Sequence, residues 1–216
     1  MTPRFRPRAV VFDLDGTLVD SLPLVLAAIG HAIAPYGRRP EKDIFASLGG
    51  PPARFLGALL PDLAHLPTAL DRMEQYHREN AHLIQPFAGA TQILGALQAQ
   101  VQLALWTGRD RVSTEWILNE HRLESFFATA VCGDDLATHK PDPEGLRAIL
   151  QRLGVQPADT LFVGDADVDV AGGAASGVKT LLIRNGRQVE PQISAQAWMV
   201  VDSPREALEL TLACLA

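Results

Sequence analysis

The sequence predicts an α/β protein with a doubly wound, mostly parallel sheet and an α-helical segment inserted into it. Three observations carry that expectation. Short apolar runs alternate with helix-period segments over most of the 216 residues, the pattern of parallel strands joined by crossover helices. The alternation breaks once, between Asp20 and Gln85, where about 65 residues hold helical patterns and no convincing strand. Asp, Gly and Thr gather just past the ends of the apolar runs, where open parallel sheets bind their ligands.

Taken in order, the first strand candidate is Ala9–Leu14. Helical segments follow around Leu22–Tyr36, Ala53–Leu60 and Thr68–Ile84, separated by the turn signals Pro35-Tyr36-Gly37, Gly49-Gly50-Pro51-Pro52 and Pro61-Asp62. We therefore expect a core from residues 1–19 and 86–216, and a helical cap from residues 20–85, hinged at Val19–Ser21 and Gln85–Gly89. Further strands are expected at Val101–Thr107, Thr129–Cys132, Thr160–Gly164, Thr180–Ile183 and Trp198–Val201. Asp142 before Pro143 reads as an N-cap with proline at the first helical position, opening a helix to Leu153. Ser203, Pro204 and Glu206 read as a capping box for the last helix.

Composition removes several classes of function. With 47% hydrophobic and 20% charged residues, the chain can bury a core. No apolar run reaches the roughly 18 residues of a membrane span; the longest, from Leu22 to Ile29, is broken by Pro23. Val10-Val11-Phe12 is too short for a signal-peptide apolar region and runs straight into Asp13. Twenty-five acids against 19 bases give a net charge of −6, which argues against general binding to nucleic acid. Cys132 and Cys214 stand far apart in no ligand-like spacing, as befits small apolar residues in a reducing cytosol, so a cytoplasmic location is expected.

The candidate strand ends converge on one chemistry. The first delivers Asp13, Asp15, Gly16 and Thr17; the second Thr107, Gly108 and Arg109. The third leads through Gly133, Asp134 and Asp135 to Lys140, and the fourth to Gly164, Asp165, Asp167 and Asp169. Seven carboxylates near one edge repel one another unless a cation neutralises them. A hard divalent ion with oxygen ligands answers that need, and Mg²⁺ suits one or two carboxylates with a substrate phosphate. The six histidines include no pair at three- or four-residue helical spacing, so zinc is not expected. Taken singly, each piece is ordinary: Asp-x-Asp-Gly makes turns, Thr-Gly-Arg makes strand-to-helix loops, and Lys-Pro makes surface turns. Their order and common placement at strand ends set them apart.

These residues also resemble a known family. Asp13-Leu14-Asp15-Gly16-Thr17-Leu18-Val19-Asp20-Ser21 resembles the first motif of the haloacid dehalogenase superfamily. Thr107-Gly108 is similar to its second motif, Lys140-Pro141-Asp142-Pro143 to its third, and Gly164-Asp165 through Asp169 to its fourth. The resemblance covers essentially the whole chain and is strongest to the branch of phosphoglycolate phosphatases and β-phosphoglucomutases. It implies a Rossmann-like core with an inserted cap, and a Mg²⁺-dependent phosphatase acting through an aspartyl-phosphate. Asp13 would be the nucleophile and Asp15 the acid and base. Asp13, the Asp15 carbonyl and Asp165 would hold Mg²⁺, while Thr107, Gly108 and Lys140 would bind the transferring phosphoryl group. Asp169 would sit behind the metal ligands or orient Lys140; Asp134, Asp135 and Asp167 are expected to be structural or to lie outside the direct ligands.

Two departures stand out. His139 replaces the usual small residue before the lysine, and Gly108-Arg109 replaces the Asn or Ser that often follows the threonine. Arg109 offers a contact to the leaving group, but a surface position at a helix start is the expectation preferred for it. The substrate implied is a small phosphorylated metabolite, 2-phosphoglycolate or a sugar phosphate, for a monomer or homodimer with no nucleic-acid or membrane partner. Arg54, after the Gly49–Pro52 turn, is the candidate for reading a second anionic group. A phosphosugar mutase is the alternative within the same chemistry. A phospho-accepting receiver domain fits poorly, because receivers spread their acids differently over the strands and carry no such insert.

Overall fold

A computed structural model of the chain describes residues 5–39 and 52–215, apart from the side chain of Arg54. Two compact units emerge, one of Met1–Asp20 with Pro86–Ala216 and one of Ser21–Gln85. The first opens with β1 (Ala9–Phe12) and the two-residue β2 (Val19–Asp20). The second holds α1 (Leu22–Ile33), α2 (Pro52–Leu59) and α3 (Leu66–Asn80). The chain returns through β3 (Gln85–Pro86), which pairs with β2. Then follow α4 (Ala90–Gln98), β4 (Gln102–Trp106), α5 (Arg111–Glu120), β5 (Thr129–Val131) and α6 (Glu144–Leu153). The last elements are β6 (Thr160–Gly164), α7 (Asp167–Ser176), β7 (Lys179–Ile183), α8 (Pro191–Gln196), β8 (Met199–Val201) and α9 (Pro204–Ala213).

The main sheet is a doubly wound one. Its order is β5-β4-β1-β6-β7-β8, with every neighbouring pair parallel. All four β1 residues, Ala-Val-Val-Phe, are buried, because a central parallel strand is covered on both faces. Ala9, Val11, Ala104, Trp106 and Phe162 point to one face and pack with Leu146, Ile149, Leu150 and Leu153 of α6. Helix α7 lies beside α6, while α4 and α9 pack together against β4 and β7. Winding goes from β1 outward through β4 and β5, then returns to the other side of β1 with β6. The crevice where the winding reverses thus opens beyond the carboxyl end of β1.

Strand β1 ends two residues earlier than its apolar run predicts. Asp13 still extends the ladder, its amide donating to the Val163 carbonyl at 2.8 Å, before the chain turns. The helix after Lys140 begins at Glu144, with Pro143 as its cap residue and Asp142 accepting from the Glu144 amide at 2.9 Å. The proline therefore stands one position earlier than expected. At α9, Ser203 accepts from the Glu206 amide at 3.3 Å, and Glu206 reaches back to the Asp202 amide at 2.9 Å.

In the second unit, α1 buries Leu24, Ala28, Ile29, Ala32 and Ile33, a helical stripe that meets Phe55, Leu56, Ala69 and Met73. The predicted helix to Tyr36 stops as an α-helix at Ile33. Around Pro35 it tightens into a 3-10 turn, closed by Gly37 at φ 67°. Gly49, Gly50 and Pro51 lie outside the described residues, as does the Arg54 side chain, although its backbone belongs to α2. No described helix is long and apolar enough to cross a membrane. Cys132 and Cys214 are buried and unbridged.

Candidate active site

Lys140 ties the site together. It arrives on the loop between β5 and α6, and its ammonium donates to Asp13 Oδ1 at 2.7 Å and to Asp169 Oδ1 at 2.8 Å. Asp13 follows β1, and Asp169 lies in the first turn of α7, so three distant segments meet at one nitrogen. The three side chains are at most one-tenth exposed. Asp169 is itself fixed, its other oxygen accepting from the Ala166 amide at 3.0 Å.

Asp13, Asp165 and Asp169 each offer a carboxylate oxygen within 4.8 Å of the others. Burial is the main reason that Asp13 is pushed up to about 7, with Asp169 and Asp15 adding repulsion and Lys140 only partly relieving it. Asp165 is raised well above the usual carboxylate range, by burial first and then by repulsion from Asp13 and Asp169. Burial also works against the Lys140 charge, but Asp13 and Asp169 outweigh it and hold the ammonium above its ordinary value. These acids are short of positive charge.

Gly16 makes the close approach of the loops possible. Its φ of +75° is the left-handed region, and a Cβ there would sit 2.2 Å from Asp165 Oδ2. Asn185, just beyond β7, donates to the Gly16 carbonyl at 2.9 Å and to Asp165 Oδ2 at 3.4 Å. Arg187 donates to the Asp165 carbonyl at 2.8 Å and pairs with Asp167.

Thr107 is buried at the end of β4, and its Oγ1 accepts from the Arg109 amide at 3.1 Å. The space above Gly108 is open, with nothing within 4 Å of where a Cβ would stand. Arg109 corrects the sequence-based expectation. It is not a surface arginine at a helix start: its guanidinium grips Asp15 through Nε at 2.9 Å and a terminal nitrogen at 2.6 Å. Only 18% of its side chain is exposed. Helix α5 starts two residues later with Asp110 as its cap, so Arg109 belongs to the site loop and turns inward.

The structure thus brings Asp13, Asp165, Asp169 and Lys140 into one cluster. Asp15 is held by Arg109, whose amide is bonded to Thr107. Asp134 and Asp135 face Arg111 instead: Asp134 accepts from its amide at 2.8 Å, and Asp135 is gripped by its guanidinium. Sequence reasoning overlooked Asn185 and Arg187, although Asn185-Gly186 after an apolar run is a turn signal at this same sheet edge.

A doubly wound parallel sheet, a helical insert after its first strand, and this set of acids, lysine and threonine at one sheet edge define an α/β protein of the doubly wound class with an inserted helical unit. The chain belongs to the haloacid dehalogenase-like hydrolases: residues 10–183 match that family's model. Phosphoglycolate phosphatase 1 of Pseudomonas aeruginosa is 32% identical to it, over 94% of this chain and 79% of the relative. N-acetylmuramic acid 6-phosphate phosphatase of the same organism is 29% identical, over 96% of each chain. A haloacid dehalogenase-superfamily hydrolase of subfamily IA from Geobacter sulfurreducens superposes with a TM-score of 0.74 at 25% identity, covering 96% of this chain and 97% of that one. The protein is an enzyme, a hydrolase of the phosphatase kind.

Proposed function

We propose that the protein hydrolyses a small phosphomonoester, 2-phosphoglycolate or a sugar phosphate, through an aspartyl-phosphate on Asp13. The observation that carries this reading is the buried Asp13 carboxylate bridged by Lys140 to Asp169. Such a carboxylate has a shape-fixed oxygen for attack, and its neighbours supply electrostatic stabilisation where charge develops. Relatives named for phosphoglycolate and for N-acetylmuramic acid 6-phosphate support a small phosphomonoester.

In the first half-reaction an Asp13 oxygen bonds to phosphorus, the ester oxygen leaves, and Asp15 gives that oxygen a proton. In the second, Asp15 takes a proton from water as the water oxygen attacks phosphorus, releasing phosphate and restoring Asp13. Thr107, the Gly108 amide and Lys140 hold the phosphoryl oxygens. Arg109 holds Asp15 at rest and must release one of its oxygens before that carboxyl can carry a proton.

The donor set fits a hard divalent cation. It is all oxygen, closely spaced and short of positive charge. Asp169 has both oxygens engaged, and the family resemblance implies that Asp13, Asp165 and the Asp15 carbonyl would hold Mg²⁺. Bound there, Mg²⁺ would neutralise charge on the phosphoryl oxygens. The helical insert serves as the cap that selects the substrate, with Arg54 reading a second anionic group. An Arg54→Ala variant with unchanged KM for 2-phosphoglycolate would remove Arg54 from this scheme.

The deciding experiment measures phosphate release from a panel of small phosphomonoesters, with Mg²⁺ and with EDTA, beside Asp13→Asn. Mg²⁺-dependent release that vanishes in the variant is expected. A phosphoenzyme that forms without phosphate release would favour a phosphosugar mutase, and no phosphoenzyme would refute the role of Asp13.

A further inference from the structure

The Lys140 ammonium has three N–H donors, and two of them go to Asp13 and Asp169. Two aromatic rings also face it. The nitrogen lies 5.0 Å from the centre of the Trp106 ring and 5.2 Å from that of Phe162. The two rings are themselves 5.2 Å apart and inclined by 41°, so they form a corner around the cation. Two carboxylates and two ring faces thus surround the ammonium, and with two of its three donors used on Asp13 and Asp169 one remains for a phosphoryl oxygen.

Trp106 is the last residue of β4, directly before Thr107. Its indole occupies space that two helices concede. A Cβ on Gly145 of α6 would lie 2.4 Å from the indole Nε1, and one on Gly172 of α7 would lie 2.7 Å from its Cη2. Helix α6 follows the Lys140 loop, and α7 carries Asp169. The indole is therefore wedged between the two helices whose N-terminal ends present the lysine and its partner. Leucine could fill much of that volume, but only a ring offers a negative face to a desolvated ammonium.

We propose that Trp106 is a positioning residue for phosphoryl binding, its ring holding the Lys140 ammonium in register with the transferred group. The proposal rests on the reading that Lys140 binds the phosphoryl oxygens. Phe162 completes the corner, and Gly145 and Gly172 are the space that lets an indole stand there.

The test compares Trp106→Phe with Trp106→Leu in the presence of Mg²⁺. Readouts are kcat and KM for a turned-over phosphomonoester, the inhibition constant of inorganic phosphate, and the melting temperature. Phenylalanine keeps a ring face and is expected to stay within about threefold of wild type in phosphate affinity, whereas leucine loses about tenfold or more. Equal losses in the two variants would mean that the ring only fills space, and would overturn the proposal. A second measurement needs no change at position 106. With Trp116→Phe and Trp198→Phe, Trp106 becomes the sole indole, and its emission should shift when inorganic phosphate binds and stay still in Lys140→Met. An emission unmoved by saturating phosphate would overturn the proposal while leaving the phosphatase reading intact. A wild-type protein that neither binds inorganic phosphate nor releases it would overturn both.

Discussion

Replacing Lys140 with methionine keeps the stem of the side chain and removes the one positive charge between Asp13 and Asp169. Both ion pairs are short, at 2.7 and 2.8 Å, and the lysine side chain is only 7% exposed. Its removal strands two buried carboxylates beside a third, Asp165, with which they already share a 4.8 Å cluster. Breaking a buried pair by deleting one partner costs about 3–5 kcal/mol. That is a large part of the roughly 5–15 kcal/mol that holds a typical domain together. Urea unfolding at pH 8 in EDTA would measure it, using wild type, Lys140→Met, Asp13→Asn and the double variant. The single lysine variant should lose several kcal/mol, and the double variant should recover more than about 1 kcal/mol, since the amide no longer needs a counter-charge. Added Mg²⁺ should raise the melting temperature of Lys140→Met more than that of wild type. A loss below about 1 kcal/mol, or no recovery in the double variant, would refute the reasoning that the lysine compensates a buried acid cluster.

Other perturbations test different parts of the site. Gly16→Ala places a methyl where Asp165 Oδ2 stands and forces a left-handed alanine, which costs about 1–2 kcal/mol and displaces the carboxylate proposed to hold Mg²⁺. Mg²⁺ affinity from titration of phosphate release should fall about tenfold or more. Asn185→Ala removes the amide that orients Asp165 and should weaken Mg²⁺ about tenfold with little change in melting temperature, by the same titration. Asp135 is held below the usual carboxylate range, chiefly by its hydrogen bonds to Arg111. A depressed folded value means that its stabilisation is present above the unfolded value of 3.8 and is lost as pH falls through the folded one. Asp135→Asn should therefore cost about 1–2 kcal/mol at pH 7 and progressively less below about pH 4, read from melting curves across pH.

The core strands were legible because strands covered on both faces leave continuous apolar runs, as Ala9–Phe12 and Thr160–Gly164 do. The acids past those runs were legible because a parallel sheet brings its strand ends to one edge. Strands β2 and β3 were not, since two residues carry no periodicity. Arg109 was misread because its partner lies 94 positions away, and nothing local to a Thr-Gly-Arg loop distinguishes an inward arginine from an outward one. Trp106 falls in the expected strand Val101–Thr107, but the sequence is silent on its surroundings. It could not say that the neighbour across the ring would be an ammonium, or that Gly145 and Gly172 had made the room.

Asp13 and Lys140 are separated by 127 positions in the chain, yet share a hydrogen bond. Asp169 comes later still, after the strand that completes the crevice. A growing polypeptide on the ribosome therefore carries Asp13, the proposed nucleophile, for most of synthesis without the lysine and acid that surround it in the folded protein. Long-range closures of this kind are slow to form. On the proposed reading, a half-made or misfolded copy would therefore have no assembled centre for phosphate release.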